Sequence, residues 1–280
     1  FFKGCQEIVE RYRELEDDVR RQQNQSGHTV RLAAIYSVGL QHLSQYVDQF
    51  RAVVPGARID LEYMHPNEVS ARVLSDQSDL GLMSFVTPSR ELISIPWRNQ
   101  TMVVACAHTH RFARLAPDEG GVWPAELNGE SFVAFDRGLP ARREIDRFLR
   151  RHDVEVRVAA EFDNIETIKR AVDEAAGIAI LPEPTLRREV ERGTLAQTRL
   201  LLRVDEPTFV RPLSIVYRRK RRLKPAVTEF IKLLQNDAHE SVAEPAPTKI
   251  TIAEHQRTSE HTAPPGEPLE RTAMDARRTT

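Results

Sequence analysis

The sequence predicts an α/β fold of two lobes facing each other across a cleft. Three observations predict it: from His28 to Asn236 short apolar strand patterns alternate with amphipathic helix patterns, the alternation runs through two successive sets, and strands without intervening helices join the sets. Short apolar runs separated by helical patterns build parallel sheets, because each crossover must carry the chain back to the same edge.

The first set opens with VRLAAIY (Val30 to Tyr36), a run apolar enough for a buried strand. Val38 to Val54 follows as a helix with Leu40, Leu43, Val47, Phe50 and Val54 on one face, and Pro55-Gly56 stops it. RIDLEYM (Arg58 to Met64) alternates as a second strand, Pro66 to Leu74 is a short helix, and Leu80 to Phe85 is a third strand. Strands near Leu92 to Trp97 and Thr101 to Ala107 lead to the second set. There SFVAF (Ser131 to Phe135), a helix from Ala141 to Arg151, a strand from Val156 to Glu161 and a helix from Ile165 to Ala175 precede GIAIL (Gly177 to Leu181). A helix from Pro184 to Arg192, the strand RPLSIVYR (Arg211 to Arg218) and a helix from Lys224 to Leu234 complete the pattern.

The ends differ from this middle. Phe1, Cys5, Ile8, Tyr12, Leu15 and Val19 recur at gaps of four and three on an otherwise charged helix. That narrow a/d stripe suits pairing with a second chain; an amphipathic helix on its own domain is the alternative, and it tolerates a wider apolar face. Residues 237–280 hold few large apolar side chains and many Pro, Thr and Glu, so they are expected to be disordered. With eight acidic against five basic residues the tail carries −3, leaving +2 on residues 1–236 of the overall −1. So even a balance excludes a free-standing nucleic-acid-binding domain, which needs a clear basic excess. Two cysteines cannot form a disulfide framework and fit a reducing compartment. No apolar run approaches the ~20 residues of a membrane span. The chain begins with Phe1 and enters at once into a helix, which reads as the remainder of a longer protein.

Ligands of open α/β sheets bind where strands end and helices begin. Ser37-Val38 at the first such turn, His65 and Asn67 after the second strand, Ser84-Phe85 after the third, Phe135-Asp136 in the second lobe and Asn164 before its next helix all occupy such places. A hydroxyl with free helix-start N–H groups favours an anion, although Ser37 could equally cap its own helix. No metal or cofactor is expected: His108 and His110 lack further ligands, and no Gly-rich phosphate loop, HExxH, GxSxG or CxxC occurs. His65 has no nucleophile or acid beside it, so a binding role fits better than catalysis and no catalytic residue is assigned. The run Arg218 to Arg222 reads as a solvated turn.

In this order and spacing, VRLAAIYSVGLQHLSQYVDQFRAVVPG, SDLGLM (Ser78 to Met83), TMVVACAHTHRFARL and AAGIAILPE (Ala175 to Glu183) resemble the effector-binding region of LysR-type bacterial transcriptional regulators with part of the linker helix. The resemblance implies two Rossmann-like subdomains joined by crossover strands, type 2 periplasmic-binding-protein-like, with an N-terminal linker helix. Residues 1–27 would be that dimerisation helix, 28–102 with 208–236 subdomain I, 103–207 subdomain II, and 237–280 the tail. It also implies an effector at Ser37, Val38, His65, Asn67, Ser84, Phe85, Phe135 and Asn164, a cytoplasmic homodimer or homotetramer, and promoter DNA contact only through an N-terminal domain absent here. Arg111 stands where the family has the proline of its His-Pro-Leu segment. Asp136 would repel an anionic effector unless Arg137, Arg142 or Arg143 neutralises it; an amine on the effector could instead pair with it. A transporter's solute receptor and an enzyme on the same scaffold are the alternatives; the first needs export and the second a convergent acid–base or nucleophile set. On this reading Ser37→Ala weakens effector binding by about 0.5–2 kcal/mol with the fold intact, and unchanged affinity in a calorimetric titration would remove Ser37 from the site.

Overall fold

Four consecutive small or branched apolar positions make β1 (Thr29–Ile35) a central strand, buried on both faces from Leu32 to Ile35. It pairs in parallel with β2 (Arg58–Met64) on one side and with β3 (Leu80–Ser84) on the other. β2 alternates exposed and half-buried positions, as an edge strand does. The computed structural model describes residues 28–115 and 120–240. The expected pairing helix with Phe1, Cys5, Ile8, Tyr12, Leu15 and Val19, and the tail beyond Glu240, lie outside the described residues.

The helices α1 (Tyr36–Val53) and α2 (Pro66–Leu74) start directly at the ends of β1 and β2. Pro66 opens α2 where its missing N–H costs nothing. β3 has a glycine where α2 and β9 (Val210–Arg218) press closest: a Cβ on Gly81 would lie 2.8 Å from Val69 Cγ1 and 2.7 Å from Val216 Cγ2. Against this sheet pack α1 and α6 (Pro225–Glu240), Phe50 meeting Phe230 edge-on at 5.0 Å between ring centres. Trp97 donates its indole N–H to the Leu234 carbonyl at 2.9 Å. α6 runs past Asn236, where composition placed the start of the tail.

Where two strands were expected, a single 16-residue strand β4 (Leu92–Ala107) runs through. Asn99 and Gln100 do not break it because β9 supplies antiparallel partners from Leu92↔Arg218 to Thr101↔Val210. The irregularity falls instead at Pro96/Arg98, where a proline lacking a donor and an extra residue make a bulge. Beyond Thr101 the same strand pairs with β7 (Ala179–Pro182) and with β8 (Leu195–Arg199), so the sheet order is β2-β1-β3-β9-β4-β7 with β8 also on β4. Parallel β5 (Ser131–Phe135) and β6 (Arg157–Phe162), followed by α3 (Pro140–Arg151) and α4 (Ile165–Asp173), complete the second half. Gly177 lets β5 approach β7, since a Cβ there would sit 2.4 Å from the Ser131 carbonyl oxygen. The helix expected from Pro184 is a 3-10 turn, Glu183–Thr185, then α5 (Arg187–Arg192), and β8 was not foreseen. Two separate apolar cores result. One gathers Val30 to Trp97 with Leu213 to Leu234, the other Met102 to Leu195, and the chain passes between them along β4 and along Phe209 to Arg211.

The basic run is more than a solvated turn. Asp79, 1% exposed, accepts from Arg31 through its backbone N–H (2.9 Å) and guanidinium (3.0 Å), and Arg221 joins the same carboxylate. Arg218 and Arg221 also hold Asp76, in the left-handed region at φ 58° that Asp tolerates better than most residues. These bonds tie the β9–α6 turn to the start of β3. Burial by itself would raise the Asp79 carboxyl; the Arg31 bonds and the charges of Arg221 and Lys224 more than offset it and hold it below its ordinary 3.8. A carboxyl depressed in the folded state stabilises fully above its unfolded value and loses that contribution as pH falls through the folded value. Asp79→Asn is therefore expected to cost about 2–3 kcal/mol at pH 7 in urea denaturation. The gap to the wild-type chain should close as pH falls below 3.8, and an undiminished gap at acid pH would contradict this account.

Candidate functional site

A cavity of about 340 Å³ opens between the two cores. Its walls are the starts of four helices: Tyr36 and Ser37 of α1, His65 and Pro66 ahead of and in α2, Pro140 and Ala141 of α3, Asn164 and Glu166 at α4. The helices begin there because each strand of a parallel sheet ends on this side, and their first N–H groups have no intrahelical acceptor. α1 and α3 have no side-chain cap hydrogen bond, and since α3 opens on Pro140, which has no N–H, its first amide is that of Ala141.

Its floor holds a cation without a carboxylate. Arg211, 3% exposed, is the second residue of β9, directly across from Gln100 of β4. Its Nε donates to Gln100 Oε1 at 2.9 Å, Nη2 donates to the same oxygen, and Nη1 donates to Ser37 Oγ at 3.0 Å. Burial pushes the guanidinium down from 12.5 to about 9, which leaves it protonated at neutral pH. Among the described residues no Asp or Glu pairs with it. Two neutral acceptors leave two N–H donors and a full charge for something else.

Five of the nine expected effector positions line the cavity: Ser37, His65, Ser84, Phe135 and Asn164. Ser37 is the second residue of α1 rather than its cap, and its hydroxyl serves Arg211. His65 caps α2, its Nδ1 accepting from the Asn67 backbone N–H at 3.4 Å. Asn164 caps α4, accepting from the Thr167 N–H and hydroxyl at 2.9 Å each. Four positions lie elsewhere. Val38 is buried in the first core, and the Asn67 side chain is exposed on α2. Phe85 turns away at φ 50° into a separate groove with Phe148, Phe209 and Pro212. Asp136 accepts from the Gly138 N–H at 2.7 Å and does not line the cavity, so neither repulsion of an anion nor an amine contact arises there. Nor does Arg142 neutralise it: Arg142 bonds the Phe135 carbonyl (2.7 Å), Asp146 and Glu161. His110 keeps a capping role without the family's proline, its Nδ1 accepting from the Phe112 N–H, while Arg111 bonds Glu130.

Arg211, Gln100, Tyr36 and Thr185 were not anticipated. A signal existed for the first two: Arg211 shares its strand face with Leu213 and Ile215, and Gln100 shares its own with Met102 and Val104. A polar residue in the buried phase of a strand is the unusual observation. Among the described residues no group of three or more His, Cys, Asp or Glu could hold a metal ion, and no helix is long and apolar enough to cross a membrane.

Two lobes on a shared pair of crossing strands, with a cavity between them, define an effector-binding module. The LysR substrate binding domain matches residues 23–238, and the chain belongs to that family. It is 28% identical over 202 residues to the uncharacterized HTH-type transcriptional regulator YeiE of Escherichia coli K12, a match spanning 72% of this chain and 66% of that protein. In structure it is similar to the CcmR regulatory domain of Synechocystis PCC6803 in complex with 2-PG (TM-score 0.65, 23% identity, 75% of this chain and 97% of that one). The BenM effector binding domain with its effector benzoate gives 0.65 at 16% identity, covering 80% and 97%. The chain thus spans slightly less than two thirds of YeiE.

Gln100→Leu strips Arg211 of two of its three acceptor bonds and is expected to cost about 2–4 kcal/mol. Adding Arg211→Met should recover most of that loss in a double-mutant cycle, because the buried charge goes with it. Additive losses would mean that the two side chains do not form one unit.

Proposed function

We propose that the chain is the effector-sensing and oligomerising region of a cytoplasmic LysR-type transcription regulator, and that its effector is a small organic anion held in the cavity between the lobes. One observation carries the anion: Arg211 is a buried cation with neutral partners only, and an isolated buried charge is costly until a counter-charge arrives. The uncapped starts of α1 and α3 add to the same preference. Similar domains, one in complex with 2-PG and one with benzoate, support a small acidic effector.

Binding acts by differential affinity. An anion reaching from Arg211 and Ser37 to the second lobe favours one relative arrangement of the lobes, and the shift is limited to the difference in its affinity for the two arrangements. The arrangement passes to DNA through neighbouring subunits and an N-terminal domain, as the helix pattern of residues 1–27 suggests. Regulators, rather than enzymes or transport receptors, are what the named relatives are.

A thermal-shift screen of small organic anions against the chain tests the reading. An effector present at a hundred times its Kd adds about 2.7 kcal/mol, equivalent to roughly 5–10 °C in a domain of this size. Arg211→Met should abolish the shift while the unliganded chain still unfolds cooperatively. An anion that stabilises both chains equally would remove the cavity from the account.

A further inference from the structure

The charge of the cavity is lopsided. Three cations are buried among the described residues: Arg142, Lys169 and Arg211. Arg142 is matched by Asp146 at 2.9 Å and Glu161 at 3.0 Å. Lys169 is matched by Glu166 at 2.9 Å and Glu189 at 2.8 Å, and its ammonium also donates to the Thr185 carbonyl. Both belong to the second lobe, and both are already spent on two carboxylates each. Only Arg211, on the first lobe's floor, is open.

The charged side chains that the second lobe contributes to the cavity lining, Asp163 and Glu166, are acidic, and both are exposed. Glu166 carries its Lys169 partner, whereas Asp163 accepts only the Asn164 amide at 2.9 Å. The uncapped start of α3 offers amides beside them, at Ala141. A helix start presents about half a charge and suits a hydroxyl or carbonyl, but it does not equal a cation.

Resting on the anionic-effector reading above, we infer that the cavity selects a singly charged ligand: one carboxylate-type head on Arg211 and Ser37, and an uncharged hydroxyl, carbonyl or cationic amine end toward Ala141 and Asp163. A second full negative charge would be desolvated between the lobes with no cation to meet it and Asp163 to oppose it. Dicarboxylates and phosphate monoesters, which carry about two charges at neutral pH, are the class the cavity rejects.

Matched sodium salts at equal ionic strength test this by thermal shift with the whole chain. Propionate, lactate and alanine form the singly anionic or zwitterionic series; succinate, 2-phosphoglycolate and inorganic phosphate form the dianionic one. The first series should bind at least about tenfold tighter than the second, with the effect lost in Arg211→Met and partly kept in Arg211→Lys. Asp163→Lys, a change at an exposed position, should move the preference toward the dianions by about fivefold or more. Dianions that bind as well or better in an Arg211-dependent way overturn the selectivity and leave the anion reading standing. Failure of every salt in both series to exceed a sodium chloride control overturns the anion reading itself, and a preference untouched by Asp163→Lys overturns the role given to the second lobe's acids.

Discussion

Antiparallel pairing of β4 with β9 is the constraint on which the rest depends. β4 is sixteen residues long and belongs to both cores: its first half is held by β9 in one, its second half by β7 and β8 in the other. Because the ladder continues to Thr101↔Val210, the passage between lobes is hydrogen-bonded backbone rather than a loose linker. The lobes are therefore fixed in register along the strand direction, and freedom remains chiefly in twist and bend about the two strands. Gln100 and Arg211 face each other at that passage, so the buried charge sits on the element that relates one lobe to the other.

On the anionic-effector proposal, this placement would let a small ligand bias how the two lobes are related. Strands tolerate a buried guanidinium here only because Gln100 and Ser37 accept from it, and neither cancels its charge. The Asp79 cluster offers the contrast. There two arginines and a lysine, all partly exposed, surround one buried carboxylate, so the buried group has its counter-charges, and the result is a fastening between the β9–α6 turn and β3. At the cavity the buried group is the cation, and its partners Gln100 and Ser37 bring it no counter-charge.

The fold was largely legible because its signals are local. Period-two and period-3.6 apolar patterns located β1, β2, β3, β5, α1 and α2 to within a residue or two, and Pro66 and Pro182 fixed boundaries. β8 escaped because LAQTR buries only Leu195 and Thr198, a signal that exists through its partner β4 rather than in its own sequence. The unbroken β4 escaped for the same reason: Asn99 and Gln100 look like a turn until β9, over a hundred residues later, pairs with them. Helix starts were equally local, so Ser37, His65 and Asn164 could be placed at the cleft from sequence. Arg211 betrayed itself only as a polar residue in the buried phase of a strand; its place at the cleft depends on Ser37 and Gln100, 174 and 111 residues away.

Charge, too, is a property of arrangement rather than composition. The overall −1 and the +2 of residues 1–236 say only that the chain is no nucleic-acid binder by itself. Asp136, which looked like an obstacle to an anion, spends its carboxylate on a turn amide outside the cavity, and Arg142, which looked like its remedy, is consumed by Asp146 and Glu161. Each of those carboxylates is already bonded elsewhere, and among the described residues none reaches Arg211. A protein interior tolerates such a centre when its cost is recovered in another state, and on the anionic-effector proposal that state is the one with an anion between the lobes.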